Sequence, residues 1–161
     1  MIRLPQVATL AAAAALVASA LAALPARAVD GAMGFSVQVS LSAAAAARLA
    51  QLREAITVSV VWYGEPTKAA RKFADEMGQI DLGTETVGLP GTGGTAVVTG
   101  AAVKVAHVDR VKNRAVNVNV NVYSARRSAP DNLLSCDLFD DALTLTRPGP
   151  VAVHCRLIGE R

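Results

Sequence analysis

Hydrophobic and polar residues alternate with a period of two along much of this chain. Phe35, Val37, Val39 and Leu41 fall on one side of an extended segment, with Ser36, Gln38 and Ser40 on the other. In 57–63, Val58, Val60 and Trp62 share one side and Thr57, Ser59, Val61 and Tyr63 the opposite one. Val116, Val118, Val120 and Val122 oppose Asn117, Asn119, Asn121 and Tyr123, the cleanest alternation in the chain. Near the end, Val151, Val153, Cys155 and Leu157 oppose Ala152, His154 and Arg156. A strand with one apolar and one polar side belongs to an antiparallel sheet with one solvated face. Residues 95–99, 101–108 and 142–146 read as shorter, less regular strands.

Two segments change period. Ser42 is placed to cap a helix from Ala43 to about Ala55, with Ala45, Leu49 and Leu52 on one face and Arg48, Gln51 and Arg53 outside. A second short helix is predicted over Lys68 to Met77, opened by Pro66-Thr67 and stopped by Gly78. Its Ala69, Phe73 and Met77 stand at helical spacing and read as packing. Gly88 to Thr95 and Arg147-Pro148-Gly149-Pro150 are turn segments. About seven short strands at this spacing predict a mainly β protein, an antiparallel β-sandwich with one or two short helical insertions. The pattern resembles small prealbumin-like or immunoglobulin-like sandwiches, a fold-level likeness that implies no function.

The N-terminal segment follows a different rule. Arg3 precedes an apolar, alanine-dominated stretch from Val7 to Leu24, and Pro25-Ala26-Arg27-Ala28 then places alanines at the −3 and −1 positions of a cleavage site. This predicts a cleaved Sec signal peptide at residues 1–28 and a single mature β-sandwich domain at 29–161. A retained anchor fits less well, because Pro25 interrupts the helix and alanine is only weakly apolar. One early arginine does not make a twin-arginine signal, and Val29 stands where a lipoprotein needs cysteine. The expected home is the periplasm or the medium of a bacterium, with no membrane span after cleavage.

Cleavage alters the charge. The full chain carries a formal +3, and loss of Arg3 and Arg27 leaves +1, so its basic character is no nucleic-acid footprint. Arg126-Arg127 is an isolated basic pair. Cys136 and Cys155 both lie in the mature part, and an even count in an oxidising compartment reads as a disulfide. Closing a loop of about 20 residues stabilises by roughly 3 kcal/mol in the chain-entropy treatment.

Catalytic chemistry finds little support. Leu89-Pro90-Gly91-Thr92-Gly93 has the letters of a sortase sorting signal but lacks the C-terminal setting, and Gly88 to Thr95 lacks the lysine of a phosphate-binding loop. No Gly-x-Ser-x-Gly elbow occurs. Of the two histidines, His107 would share a strand face with Asp109, and His154 faces outward beside Cys155. Together His107, Asp109 and His154 form the alternative reading, a metal-binding or enzymatic envelope protein. Asp137, Asp140 and Asp141 cluster in an oxygen-rich loop that matches no EF-hand, and Asp75, Glu76, Asp81 and Glu85 are scattered over a helix end and a loop.

The asparagine row points elsewhere. Asparagine is a poor strand former, yet three alternate with valine on one strand. Each amide offers donors and an acceptor, which suits hydroxyl-rich ligands such as glycans. Tyr123 continues that face as a stacking platform, and Tyr63 is the more exposable ring of the Trp62-Tyr63 pair. A polar outer face that discourages edge aggregation is the competing explanation. The sequence therefore predicts a non-catalytic exported binding module, with Asn117, Asn119, Asn121, Tyr123 and Tyr63 as ligand-binding residues. No cofactor is expected, and the partner is an envelope protein or a glycan. An assembly module that offers an open sheet edge is a third reading.

Overall fold

Val58, Val60 and Trp62 of strand β2 (Ile56–Gly64) lie directly across from Val122, Val120 and Val118 of strand β5 (Asn117–Ser124). All six are at most 3% exposed. Removing such a side chain from water stabilises the fold by roughly 1.5–3 kcal/mol, so one valine-rich ladder accounts for much of the core. The computed structural model describes residues 33–160. The expected signal peptide, residues 1–28, lies outside the described residues.

Strand β3 (Ile80–Leu89) joins the outer side of β2, and β7 (Phe139–Ala142) joins the outer side of β5, giving an all-antiparallel sheet β3-β2-β5-β7. The second sheet has the order β4-β1-β8-β6, from β4 (Gly94–Val98), β1 (Phe35–Leu41), β8 (Val151–Leu157) and β6 (Leu134–Cys136). Its β1–β8 pair is parallel and the others antiparallel. Buried residues of both sheets form a single hydrophobic cluster. At its heart Trp62 is fully buried, meets Phe35 edge-on at 6.3 Å, and donates its indole N–H to the Met33 carbonyl at 3.1 Å. That hydrogen bond removes the cost of burying the one polar atom of the ring. The Cys136 and Cys155 sulfurs are 2.04 Å apart and join registered positions of β6 and β8.

Helix α1 (Ala43–Leu52) begins where Ser42 Oγ accepts from the Ala45 N–H at 3.1 Å, and it buries Ala45 and Leu49. It stops three residues short of the expected Ala55. Arg53 turns left-handed (φ 51°), and the N–H groups of Arg53 and Glu54 close back onto the carbonyls of Ala50 and Leu49. The Glu54 side chain, 3% exposed, then accepts from the backbone N–H groups of Ala55, Arg127, Ser128 and Ala129 at 2.7–3.2 Å. Burial alone raises its pKa. The four donors outweigh that effect and hold the carboxyl below its ordinary range.

Several sequence expectations are corrected. Residues 101–108 do not form a strand: Lys104 donates its N–H to the Leu82 carbonyl, and a 3₁₀ turn follows at Val105–Arg110. Residues 142–146 are likewise a strand end followed by a 3₁₀ turn at Leu143–Thr146. The second helix is a 3₁₀ segment limited to Lys68–Phe73, because Asp75 Oδ1 accepts from the N–H groups of Met77 and Gln79 and folds the chain into a loop. Ala70, rather than Ala69, is buried there, while Phe73 and Met77 are 51% and 81% exposed. Asp81 and Glu85, expected at a helix end and in a loop, lie on strand β3, whose register against β2 shifts between Trp62 and Tyr63. Gly83 sits at that shift with φ 136°, and a Cβ there would strike the Ala102 carbonyl.

Candidate functional site

Because β2 buries Val58, Val60 and Trp62 and β5 buries its valines, the intervening residues point to the other face. The register then places Tyr63 opposite Asn117, Val61 opposite Asn119, Ser59 opposite Asn121 and Thr57 opposite Tyr123. All five expected ligand-binding residues lie on this outer face, as do both tyrosines of the chain. Asn121 is exposed and the other four are half-buried.

Strand β7 completes the face. Pairing of Asn119 with Asp140 brings the Asp140 carboxylate beside two donors. Asn119 Nδ2 donates to Asp140 Oδ2 at 3.1 Å, and the Tyr63 hydroxyl donates a short hydrogen bond to Asp140 Oδ1. That bond, then burial, then the charges of Asp140 and Asp141 push the Tyr63 phenol up to about 12. Tyr63 therefore stays protonated at neutral pH and acts as a donor. Around this triad Val61, Met77 and Gln79 line a hollow of about 190 Å³. The volume lies below the usual range of enclosed small-molecule sites, about 300–1,000 Å³.

Asn117 faces a second hollow of about 240 Å³, shared with Glu65, Lys112, Asn113 and Ala115. At the other end of the row, the Arg126 guanidinium stands 6.0 Å from the Tyr123 ring centre. The carboxylates grouped by sequence separate in space. Asp140 belongs to the outer face, Asp141 accepts from the neighbouring Ala142 N–H, and Asp137 accepts from the His154 N–H in the other sheet.

The residues of the metal reading have other surroundings. His107 lies on the 3₁₀ turn and not on a strand, so it shares no strand face with Asp109. It stands near Asp81, whose carboxyl is held low by its hydrogen bond to Lys104 at 2.6 Å. Asp109 pairs with Arg114 at 2.5 Å. His154, on β8, has its Nδ1 3.0 Å from Ser40 Oγ and lies near Glu160, whose carboxyl the Ser42 hydroxyl lowers. No group of three or more His, Cys, Asp or Glu side chains suited to a metal ion occurs among the described residues.

Sequence reasoning missed Asp140 as a partner of the asparagine row, along with Val61, Met77 and Gln79. The polar Asp140-Asp141 pair hid the strand, and only the pairing with β5 shows its place. No helix among the described residues is long and apolar enough to cross a membrane. Comparisons with protein-family models, curated proteins and solved structures found no match for the chain.

Proposed function

We propose that the protein is a non-catalytic exported binding module, an immunoglobulin-like or prealbumin-like β-sandwich whose outer β3-β2-β5-β7 face binds a hydroxyl-rich glycan of the bacterial envelope. The observation that carries this reading is the convergence of Tyr63 and Asn119 on Asp140 beside an open hollow, within a row of asparagines. Such a face offers hydroxyls both acceptors and donors: the carboxylate and amide oxygens on one side, the amide N–H groups on the other. Two tyrosine rings add surfaces against which a sugar ring packs. Export is supported by the signal-like residues 1–28 and by the Cys136–Cys155 pair, which persists in an oxidising compartment.

Replacing Asn119 with alanine removes one donor and one acceptor from the centre of the face. Retention of the mature protein on an array of immobilised neutral and acidic oligosaccharides should fall about tenfold, the value of one good hydrogen bond to a ligand. Stability should change by less than about 0.5 kcal/mol, since no core contact is lost. Undiminished retention of Asn119→Ala would remove the site assignment, and no retention of the wild type on any sugar would remove the glycan reading.

A further inference from the structure

The asparagine face does not end at Asn117. The hollow that Asn117 lines shares Glu65, Lys112 and Asn113 with a larger pocket, about 590 Å³, which is further lined by Pro66, Thr67, Lys68, Arg71 and Gly78. On the other flank, Gly78 is bracketed by Met77 and Gln79, which line the Tyr63–Asn119–Asp140 hollow. A continuous strip thus runs from the amide-rich sheet into a cavity of ordinary ligand-site size.

The charge of that cavity differs from that of the sheet. Lys68, Arg71 and Lys112 face one carboxylate, Glu65, a net charge of +2. The nearby cations are mostly engaged elsewhere: Lys104 with Asp81, Arg114 with Asp109, and Lys72 and Arg110 against the Phe73 ring at 5.1 and 4.4 Å. Among the described residues Lys68 and Arg71 join no ion pair. The Lys112–Glu65 pair is long, at 3.4 Å, and both side chains are more than 60% exposed, so it opens readily to a competing anion. Arg71 adds a planar fork that matches a carboxylate.

Building on the glycan reading, we infer that the ligand is an acidic glycan, one whose sugar hydroxyls lie along the Asn117–Asn119 face while a uronic-acid carboxylate sits between Lys68, Arg71 and Lys112. Amides recognise the neutral part and the cavity recognises the charge. The two halves of the strip contribute separably, because different residues carry each.

The test is an oligosaccharide array on which every uronic-acid member is also printed in carboxyl-reduced form. The probes are the mature wild type, the Lys68→Ala/Arg71→Ala double variant and the Asn119→Ala variant. Wild type should be retained about tenfold better on the acidic members than on their reduced partners, the size of one charge-assisted contact. The difference should shrink as salt is raised. Lys68→Ala/Arg71→Ala should bind both forms equally and as weakly as wild type binds the reduced form, and Asn119→Ala should weaken both forms in parallel. Equal wild-type retention on the two forms overturns the acidic class and leaves glycan binding standing. Retention on neither form overturns both. A parallel sedimentation with phosphatidylglycerol vesicles identifies the remaining source of anions: co-sedimentation lost in Lys68→Ala/Arg71→Ala, with a blank array, makes the partner a lipid surface and overturns the glycan.

Discussion

Glu54 and Asp140 each hold a carboxylate satisfied by hydrogen bonds, yet they do opposite work. Glu54 is buried, and its four donors are backbone N–H groups, three of them from Arg127, Ser128 and Ala129, more than seventy residues away. Asp140 is exposed, and its two side-chain donors come from the adjacent strand β5 and, one strand further, β2 of a sheet that is already built. A carboxylate bound by backbone fixes the path of the chain, because losing it strips four N–H groups of their partner at once, around a side chain that is itself buried. One bound by side chains at the surface can exchange a partner for water or a ligand at little cost to the fold. The contrast separates polarity that holds the chain path from polarity that the fold does not need.

Glu54→Gln should break the comparison with the largest effect. The amide presents donors where the site supplies only donors, and the charge-assisted bonds are lost, so stability falls by about 3 kcal/mol. For a domain of this size that is a drop of roughly 10 °C in Tm, read by a thermal melt followed by circular dichroism. Asp140→Asn should leave the same melt within about 1 kcal/mol of wild type. A large loss from Asp140→Asn would make the outer-face carboxylate structural after all.

Acid sharpens the difference. The Glu54 carboxyl is held below its ordinary 4.5 in the folded protein. The stability it contributes is fully present above that value and is lost as pH falls through the folded value. Chemical denaturation from pH 6 downward should therefore show wild type losing stability below about 4.5 and converging toward Glu54→Gln. A constant gap between the two at all pH values would contradict the role given to the charge.

The smallest effect is spectroscopic. Tyr63 is pushed up to about 12 by Asp140, so an ultraviolet titration should show a tyrosine ionising near that pH. Tyr63→Phe should delete this step, and Asp140→Asn should move it down toward 10. The raised value also means that the Tyr63–Asp140 bond contributes its stability below pH 10 and loses it as pH climbs toward 12. An unmoved step in Asp140→Asn would show that Asp140 is not the cause.

Strands β1, β2, β5 and β8 were readable from the chain because burial on one side alone writes a period of two into valine and phenylalanine positions. Helix α1 was readable from Ser42 and the alanine run. The missed strand β3 and the misread segment 101–108 share a physical origin in long-range backbone pairing, whereas the shortened second helix ends on the local Asp75 hydrogen bonds. Strand β3 exists because β2 supplies its hydrogen bonds, and its glycines and carboxylates carry no propensity for it. The segment 101–108 has strand-like composition, but the Lys104 N–H is taken by Leu82 and the chain turns. The asparagine row was visible because it is local to one strand. Its partner Asp140 and the Lys68–Arg71–Lys112 cavity were not, since the latter is assembled from segments 40 or more residues apart.

The central claim is that the outer β3-β2-β5-β7 face, and not the other sheet, receives the ligand. The most direct measurement is a two-dimensional amide NMR titration of the mature protein with the best-retained oligosaccharide from the array. Shifts should centre on the β2, β5 and β7 residues around Tyr63, Asn117, Asn119 and Asp140 and extend to Lys68, Arg71 and Lys112. Shifts centred on Ser36, Gln38, Ser40 and His154 of the opposite face would contradict it.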